Sequence, residues 1–454
     1  MSRMRGADIV VEYLIREKVP YVFGLCGHGN IGLLDGFYDR QDAIKVLTVR
    51  HEQAAGHMAD AYFRVAHHPV ATLTSCGPGS TNLLTALASA MMDSSAMLAI
   101  TGNVPTSQFN RAPFQETGRH FQAEFPNVMR PYVKKAFQPT RVEMLPVTLR
   151  QAFKTMLTGR PGPVGIDVPL NCFAEEAEVE VPEPGLWRKG IRTGGSGTTE
   201  SAEQALEMLL SAEKPCILAG NGAMISEAGK EIQKLSKLLG IPVATTANGK
   251  GIIPEDNPLS LGGIGRNGTY MANESCRSCE VLLAVGAKFD DRQSSSWIPG
   301  YSFNIPPTQL IHVDIDPEEL GRNYPPTLGI QADAKSFMGE LCRVADLKIK
   351  KTSDSTDSWL NEIRNWREDW TEFNREPSES DAIPIRPERL LKEMRKVLPR
   401  EAIVVCDVGE HHNWVIQFFE SYEPRTMLQS WGFASMGFGV CGVLGAKLAA
   451  PEKV

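Results

Sequence analysis

Two junctions between a strand-like segment and a helix-like segment carry the side chains best suited to chemistry. The first places a single carboxylate, Glu52, between the apolar residues 46–49 and a helical pattern. The second places a Gly-Pro-Gly turn at 77–79 and the amide of Asn82 after the strand-like residues 72–75. In parallel α/β sheets, ligands bind at the carboxyl ends of strands, where such junctions meet. A buried glutamate at this edge can hold a ring nitrogen of a ligand and relay a proton.

Each junction also has a plainer interpretation. A glutamate in the first turn of a helix is common, because the helix dipole favours it there. The small residues Ala54, Ala55 and Gly56 shift the balance towards a site, since they let a large group approach. The turn at 77–79 is a weak phosphate-loop match, because it lacks the third glycine of a dinucleotide fingerprint and the Lys-Ser/Thr of a Walker loop. It is well supported as a tight strand-to-helix turn.

Charged residues also follow strand-like segments in the middle third of the chain. Carboxylates at strand ends, such as Asp314, suit ribose hydroxyls, and Arg266 and Arg292 suit phosphates. The alternative, a set of solvated charges, has comparable weight on the sequence alone. In the last third, His411 follows a buried strand, and small residues surround Met436. They offer either a diphosphate loop and a ligand shelf or ordinary tight packing.

Composition limits the class of protein. The chain has 454 residues, enough for two to four domains, with 42% hydrophobic and 22% charged residues, as in soluble globular proteins. A net charge of -7 argues against a nucleic-acid partner. The sequence shows no signal-peptide core and no apolar run of about 18 residues, which predicts a cytoplasmic protein with no membrane partner. The nine cysteines, including the Cys276-x-x-Cys279 spacing, are expected to be buried free thiols.

Alternating strand-like and helix-like segments predict an α/β fold of successive doubly wound parallel-sheet domains. The predicted boundaries are a first domain at 1–175, a linker at 176–200, a central domain at 201–345, a connector at 346–385 and the first half of a third domain at 386–454. The third domain is expected to continue beyond residue 454, because a two-stranded parallel fragment cannot cover both of its faces.

The whole chain resembles the thiamine diphosphate-dependent 2-oxo acid enzymes, on the branch of acetohydroxyacid synthase, glyoxylate carboligase and pyruvate oxidase. The motifs that carry the resemblance stand in family order along the chain: Val22-Phe-Gly, Arg50-His-Glu-Gln, Ser75-Cys-Gly-Pro-Gly-Ser-Thr-Asn, Phe114-Gln-Glu, Gly159-Arg-Pro-Gly-Pro-Val, Phe289-Asp-Asp-Arg, Val313-Asp-Ile-Asp-Pro, Asp407-Val-Gly and Ser435-Met-Gly-Phe-Gly. This set is specific for the family and much less so for the substrate.

The resemblance implies a pyrimidine-binding, a central and an incomplete diphosphate-binding domain. It implies that Glu52 holds the pyrimidine N1′, with Gln115 and Lys134 (or its neighbour Lys135) as further catalytic residues. The residues implied for thiamine diphosphate are Gly27, Pro78, Asn82, Gly409, Glu410, His411, Ala434 and Met436. Those implied for a largely structural FAD are Arg266, Lys288, Arg292, Asp314 and Asp333. The Mg²⁺ ligands of the family are expected beyond residue 454, so no metal ligand is assigned here.

The implied activity is decarboxylation of a small 2-oxo acid with carboligation, in a homodimer or homotetramer. Two departures leave the substrate open: the loop Gly27-His-Gly-Asn resembles that of cyclitol-dione hydrolases, and the segment from residue 118 to 127 is longer than expected for an acetohydroxyacid synthase. The alternatives are therefore a C–C hydrolase of a cyclic dione, a simple 2-oxo acid decarboxylase, or a non-catalytic flavin- or nucleotide-binding scaffold.

Overall fold

The computed structural model describes residues 2–116, 124–188, 194–349 and 357–454. Residues 118–123 of the longer segment, and parts of the predicted linker (189–193) and connector (350–356), lie outside these ranges. The chain forms two compact units, one of Met1–Arg192 with Ser430–Glu452, the other of Thr193–Gln429 with Lys453–Val454. The predicted third domain is thus divided between the two units.

The first unit is built on a parallel sheet. The strands of this unit are β1 (Ser2–Arg5), β2 (Tyr21–Gly24), β3 (Lys45–Thr48), β4 (Ala71–Thr74), β5 (Leu98–Asn103), β6 (Lys135–Phe137), β7 (Val164–Pro169) and β8 (Glu176–Val179). The described strands of the parallel sheet stand in the order β3-β2-β4-β5-β7-β6, and β1 forms a separate antiparallel pair with β8. Strands β4, β5 and β7 are buried along their whole length, as parallel strands covered on both faces should be.

Helices cover both faces of this sheet. The helices of the unit are α1 (Gly6–Arg16), α2 (Ile31–Tyr38), α3 (Glu52–Ala66), α4 (Pro78–Asn82), α5 (Leu84–Met92), α6 (Phe125–Met129), α7 (Leu145–Leu157), α8 (Leu170–Ala174), α9 (Pro184–Arg188) and α19 (Phe438–Ala449). One hydrophobic cluster lies under α1 and α7, and another lies under α3 and α5.

The second unit repeats this plan. Its strands are β9 (Pro215–Ala219), β10 (Val243–Thr245), β11 (Ser260–Gly263), β12 (Val281–Val285), β13 (Gln309–Asp314), β14 (Leu328–Gln331), β15 (Val404–Cys406) and β16 (Met427–Gln429). The described strands of its parallel sheet stand in the order β11-β10-β9-β12-β13-β14, and β15 forms a separate pair with β16. Its helices are α10 (Thr199–Ser211), α11 (Asn221–Ile225), α12 (Gly229–Leu239), α13 (Tyr270–Ser278), α14 (Ala334–Lys348), α15 (Asp357–Phe373), α16 (Arg375–Glu379), α17 (Pro387–Val397) and α18 (Glu410–Phe418).

The predicted α/β class with parallel sheets is confirmed. Strand β8 falls inside the predicted linker. Its acidic composition resembles that of a linker, but its residues alternate between exposed and buried and it pairs with β1. Within the described ranges, no helix combines the length and the apolar character needed to cross a membrane.

Candidate active site

The two predicted junctions meet in the first unit. Glu52 is the first residue of α3, whose start is capped by the His51 ring accepting a hydrogen bond from the Gln53 amide. Its Oε2 accepts a hydrogen bond from Asn82 Nδ2 at 3.0 Å, and the residue is only 8% exposed. Among the residues that the structure describes, the other oxygen, Oε1, has no hydrogen-bond partner. One acceptor of a nearly buried carboxylate therefore remains for a ligand.

The turn at 77–79 is fitted closely around this carboxylate. A Cβ at Gly79 would lie 3.2 Å from Glu52 Oε1, so a side chain there would fill the space next to the oxygen. Gly77 has a φ of +54°, and a Cβ there would lie 1.5 Å from the backbone oxygen of Gln115. Pro78 begins α4 behind the turn. A side chain would therefore crowd the Glu52 carboxylate at position 79 and clash with the Gln115 backbone at position 77.

The loop after β2 reaches the same edge of the sheet. A Cβ at Gly27 would lie 2.3 Å from Ser75 Cβ. Next to Gly27, the exposed His28 places its Nε2 3.2 Å from the buried Cys76 Sγ. The sequence interpretation assigned Gly27 of this loop to thiamine diphosphate and used the loop to question the substrate, but it gave His28 no role. The proximity of His28 and Cys76 depends on the pairing of β2 with β4, which the sequence does not show.

The segment before α19 lies against the start of α3 within the first unit. Gln53 Nε2 donates a hydrogen bond to the Met436 carbonyl oxygen at 3.1 Å, while the Met436 residue is 79% exposed. Ala434, with a φ of +53°, and Gly437, with a φ of +93°, form the tight bend. The backbone of Met436 is therefore held by Gln53, in the first turn of α3, with the Met436 side chain largely uncovered.

A buried ion network that the sequence interpretation missed fixes this segment. Arg64 donates to Asp60 at 2.7 Å and to Asp93 at 3.0 Å, and the Asp93 carboxylate accepts from the backbone amides of Trp431 at 3.0 Å and Gly432 at 2.9 Å. Burial alone would lower the pKa of Arg64, but Asp60 and Asp93 outweigh it and raise that pKa. The i,i+4 spacing of Asp60 and Arg64 was a readable signal, whereas the contacts of Asp93 were not.

The other two predicted catalytic residues, Gln115 and Lys134, have different surroundings from those of Glu52. Gln115 has an exposed side chain and a φ of +61°, with its backbone beside Gly77. Lys134 lies at the amino end of β6, the edge opposite to Glu52, and its Nζ donates to the carbonyls of Thr155 (2.5 Å), Thr158 (2.8 Å) and Arg160 (2.7 Å). Because helix ends leave carbonyl groups that attract cations, this placement argues against the predicted catalytic role of Lys134.

In the second unit, the predicted diphosphate residues begin α18. Gly409 caps this helix with a φ of +140°, a conformation that favours glycine. Glu410 Oε2 accepts from Asn413 Nδ2 at 3.2 Å, and Gly409, Glu410 and His411 are exposed. Exposed amides at a helix N-terminus suit an anionic group.

Three glycines at the carboxyl edge of the second sheet approach one another closely: a Cβ at Gly220 would lie 2.0 Å from the oxygen of Gly286, and one at Gly222 would lie 2.8 Å from the Cα of Gly286. They lie at the ends of β9 and β12, where the Gly222 amide donates to the Gly286 carbonyl at 2.9 Å, so the glycines are needed for backbone-to-backbone packing.

Several of the charged residues predicted for FAD already make hydrogen bonds within the second unit. Asp333 caps α14 through Ser336 N at 2.9 Å and accepts from Ser226 Oγ at 2.7 Å. Asp314 Oδ1 accepts from the Asp316 amide at 2.9 Å, and Arg266 donates to Ser296 Oγ. Lys288 is half-buried and Arg292 is exposed.

The cysteines are free thiols, most of them buried, as the sequence predicts. Cys216 Sγ and Cys276 Sγ lie 3.9 Å apart, and the pKa of Cys276 is raised by its contact with Cys216 and by burial. Within the described part of the chain, no group of three or more His, Cys, Asp or Glu side chains could hold a metal ion.

Comparison with known proteins identifies three matched regions. Residues 4–124 match the N-terminal thiamine pyrophosphate-binding domain of thiamine pyrophosphate enzymes, 202–341 match their central domain, and 407–454 match their C-terminal thiamine pyrophosphate-binding domain.

Curated relatives match almost the whole chain. A probable acetolactate synthase large subunit of Methanocaldococcus jannaschii is 36% identical over 457 residues, which cover 99% of this chain and 74% of that protein. A probable acetolactate synthase large subunit of Methanococcus aeolicus is 37% identical over 464 residues, covering 99% and 74%. The acetolactate synthase large subunit of Haemophilus influenzae is 32% identical over 455 residues, covering 100% and 76%. These matches confirm the resemblance drawn from the motifs.

Proposed function

We propose a substrate class and a set of site residues for this chain. The starting point is that the chain belongs to the thiamine diphosphate-dependent enzymes, on the acetolactate synthase branch. It binds thiamine diphosphate and is an enzyme that decarboxylates a 2-oxo acid with carboligation. We propose small 2-oxo acids as both donor and acceptor. The observation that carries the site assignment is the nearly buried Glu52 carboxylate, which Asn82 orients while one oxygen keeps no partner in the described chain.

The residues around Glu52 fit an aminopyrimidine ring. A carboxylate oxygen without a partner can accept a hydrogen bond from a ring nitrogen, and the bare Cα of Gly79 keeps the space beside that oxygen free. The exposed thioether of Met436, held next to α3 by Gln53, offers a polarizable surface for a flat ring. When bound, the cofactor supplies the nucleophilic carbon and accepts the electron pair released with CO₂.

Glu52 would then hold and move a proton at the pyrimidine N1′, while Asn82 fixes the direction of its carboxylate. The Ala434 carbonyl would accept from the 4′-amino group, and Met436 would support the ring. Gly27, Pro78 and Gln115 shape the surroundings of the ring. Gly409, Glu410 and His411 are proposed for the diphosphate, which suits the exposed N-terminus of α18. These assignments rest on the motif matches and on the local contacts of each residue.

We propose FAD as a second cofactor of the central domain, with Arg266, Lys288, Arg292, Asp314 and Asp333 near it. The Phe289-Asp-Asp-Arg motif match and the basic side chains of Arg266 and Arg292 support this proposal, whereas the local partners of Asp333 and Asp314 weaken the part assigned to those two carboxylates. The test is to denature freshly purified protein and measure released flavin by fluorescence. No released flavin, together with no rise in melting temperature on adding FAD, would remove this cofactor.

Mg²⁺ is proposed to accompany the diphosphate, because a divalent cation offsets the phosphate charge. A homo-oligomer in the cytoplasm is also proposed. In the first unit, α3 packs on α19 of the same chain, and α19 leaves Val440 (74% exposed), Val443 (46%) and Leu444 (55%) uncovered. An uncovered apolar face of this kind favours a protein partner. A monodisperse monomer by light scattering at micromolar concentration would contradict the oligomer.

The deciding experiment for the function supplies purified full-length protein with thiamine diphosphate, Mg²⁺ and pyruvate. The expected result is CO₂ release with a 2-hydroxy-3-oxo acid as the product. Release of CO₂ with only an aldehyde as product would favour the simple decarboxylase, and flavin binding without any CO₂ release would favour the scaffold.

A further inference from the structure

His28 and Cys76 form a contact at the carboxyl edge of the first sheet that no assignment above uses. His28 Nε2 lies 3.2 Å from Cys76 Sγ. Cys76 is 1% exposed, whereas His28 is exposed, and the His28 ring lies 6.2 Å from the ring of Phe114, centroid to centroid. An imidazole anchored on one nitrogen and open to solvent can exchange protons with a bound molecule.

The loop that carries His28 is tied down on both sides of that residue. The Gly27 amide donates to Asn30 Oδ1 at 3.0 Å, and Asn30 Nδ2 donates to the Leu25 carbonyl at 2.9 Å. The Gly29 amide donates to Ser75 Oγ at 3.2 Å. Because its neighbours in the chain are fixed, the direction of His28 is set by the fold.

The sheet order brings this loop to the predicted cofactor site. Strands β3, β2 and β4 are adjacent and parallel, so their carboxyl ends share one edge. They lead to Glu52, His28 and Cys76, respectively. Ligands bind at this edge in parallel α/β sheets, which places His28 beside the proposed pyrimidine site.

The acceptor step of the overall reaction needs a proton. Joining two 2-oxo acid anions with loss of CO₂ consumes one proton. The new C–C bond forms at the acceptor carbonyl carbon, the π electrons of that carbonyl move to its oxygen, and the oxygen takes up the proton to become a hydroxyl group. A side chain positioned at the acceptor end of the site can deliver that proton as a general acid.

We propose that His28 is the catalytic residue that donates this proton to the acceptor carbonyl oxygen, and that Cys76 positions it. The inference rests on the proposed carboligation with a 2-oxo acid acceptor. In the protonated imidazole, Nε2–H donates to the thiol sulfur and Nδ1–H serves the acceptor; the ring then regains a proton from solvent.

The surroundings of Cys76 suit a positioning contact. Burial raises the pKa of its thiol, and the negative charge of Glu116 adds to this rise. The sulfur therefore stays protonated and uncharged near neutral pH, and it does not trap the imidazole as a permanent ion pair.

The experiment compares His28→Gln with the matched control His68→Gln in the full-length protein supplied with thiamine diphosphate and Mg²⁺. His68 lies just before β4, at the opposite edge of the sheet. Two rates are measured: formation of the condensed product from pyruvate, and CO₂ release coupled to ferricyanide reduction, which needs no acceptor carbonyl. Cofactor binding without substrate is measured by calorimetric titration.

For His28→Gln, product formation is expected to fall about 10²-fold or more, the usual contribution of a general acid. CO₂ release with ferricyanide and cofactor affinity should stay within about twofold of wild type, as should all properties of His68→Gln. Cys76→Ala should lower product formation less than His28→Gln, and Cys76→Ser should restore part of it, because a hydroxyl can replace the thiol contact.

Unchanged product formation in His28→Gln would overturn the inference. Equal losses of product formation and of ferricyanide-coupled CO₂ release would also overturn it, since His28 would then act before the acceptor step or support the fold. His28→Asn provides a second variant if His28→Gln does not fold. Failure of the proposed function is distinguishable, because wild type itself would then release no CO₂ from a 2-oxo acid.

Discussion

The two six-stranded parallel sheets each present carboxylates at the carboxyl ends of their strands, yet they use them differently. In the first unit, Glu52 keeps one oxygen without a partner among the described residues while Asn82 fixes the other. In the second unit, Asp333 and Asp314 hold backbone amides of their own loops. Parallel sheets therefore provide the position for a site, but the hydrogen-bond partners of each carboxylate decide whether it can serve a ligand.

The same contrast exists within the first unit. Asp93 is a carboxylate at the end of α5 whose oxygens accept from Arg64 and from two backbone amides. Asp167, on β7, is buried among neutral donors. The unit thus contains three kinds of carboxylate. The Glu52 carboxylate can serve a ligand, that of Asp93 belongs to an ion network, and that of Asp167 is held by neutral hydrogen-bond donors.

The largest effect is expected for Glu52→Gln. The amide preserves size but cannot relay a proton, so turnover should fall roughly 10²–10⁴-fold while the melting temperature stays near that of wild type. The control is Glu178→Gln, an exposed position on β8. Decarboxylation assays on the full-length protein measure both. A variant that keeps more than half of the wild-type rate would remove Glu52 from the mechanism.

Asp93→Asn is expected to act on stability. Removing one charge leaves the buried Arg64 with a single carboxylate partner, and breaking a buried ion pair typically costs about 3–5 kcal/mol. The urea midpoint, followed by circular dichroism, should fall well below that of the exposed control Asp39→Asn. A loss below about 1 kcal/mol would mean that the network does not anchor the segment at Trp431 and Gly432.

Asp333→Ala should produce a smaller loss, about 0.5–2 kcal/mol, because it removes the cap of α14. Asp333→Asn is the matched control, since asparagine caps a helix nearly as well as aspartate. Thermal unfolding and released flavin are measured for both variants. If Asp333→Asn keeps its melting temperature but loses bound flavin, the contrast between the two sheets fails and Asp333 serves a ligand.

Asp167 should give the smallest effect, visible as a pH dependence. Burial raises its pKa from the ordinary value of 3.8 to about 6, although Thr101, Asn103 and Gln138 donate hydrogen bonds that oppose this rise. Because the folded state binds the proton more tightly, the stabilisation is fully present below about pH 4 and is lost as pH rises through about 6. Between pH 5 and pH 7, wild type should lose about 1 kcal/mol more stability than Asp167→Asn. Parallel unfolding curves across this range would show that the carboxyl group is not perturbed.

The sequence determined the α/β class and placed two strands closely: the strand-like residues 46–49 and 72–75 lie within one residue of β3 and β4. Strands β6 and β8 were not predicted, because a three-residue strand and an acidic one carry little apolar signal. The junctions at Glu52 and Asn82 were also readable, since the small residues after Glu52 and the Gly-Pro-Gly turn before Asn82 leave room for a large group.

Only the tertiary structure decided which side chains share partners. In the folded chain, the Asp93 carboxylate accepts from Arg64 and from backbone amides before α19, and His28 contacts Cys76. The Lys134 ammonium group donates to backbone carbonyls near the end of α7. Hydrophobic periodicity is a local property and can be read from a short window of the sequence. Hydrogen bonds between distant residues depend on strand order and helix packing, and a single sequence does not contain that information.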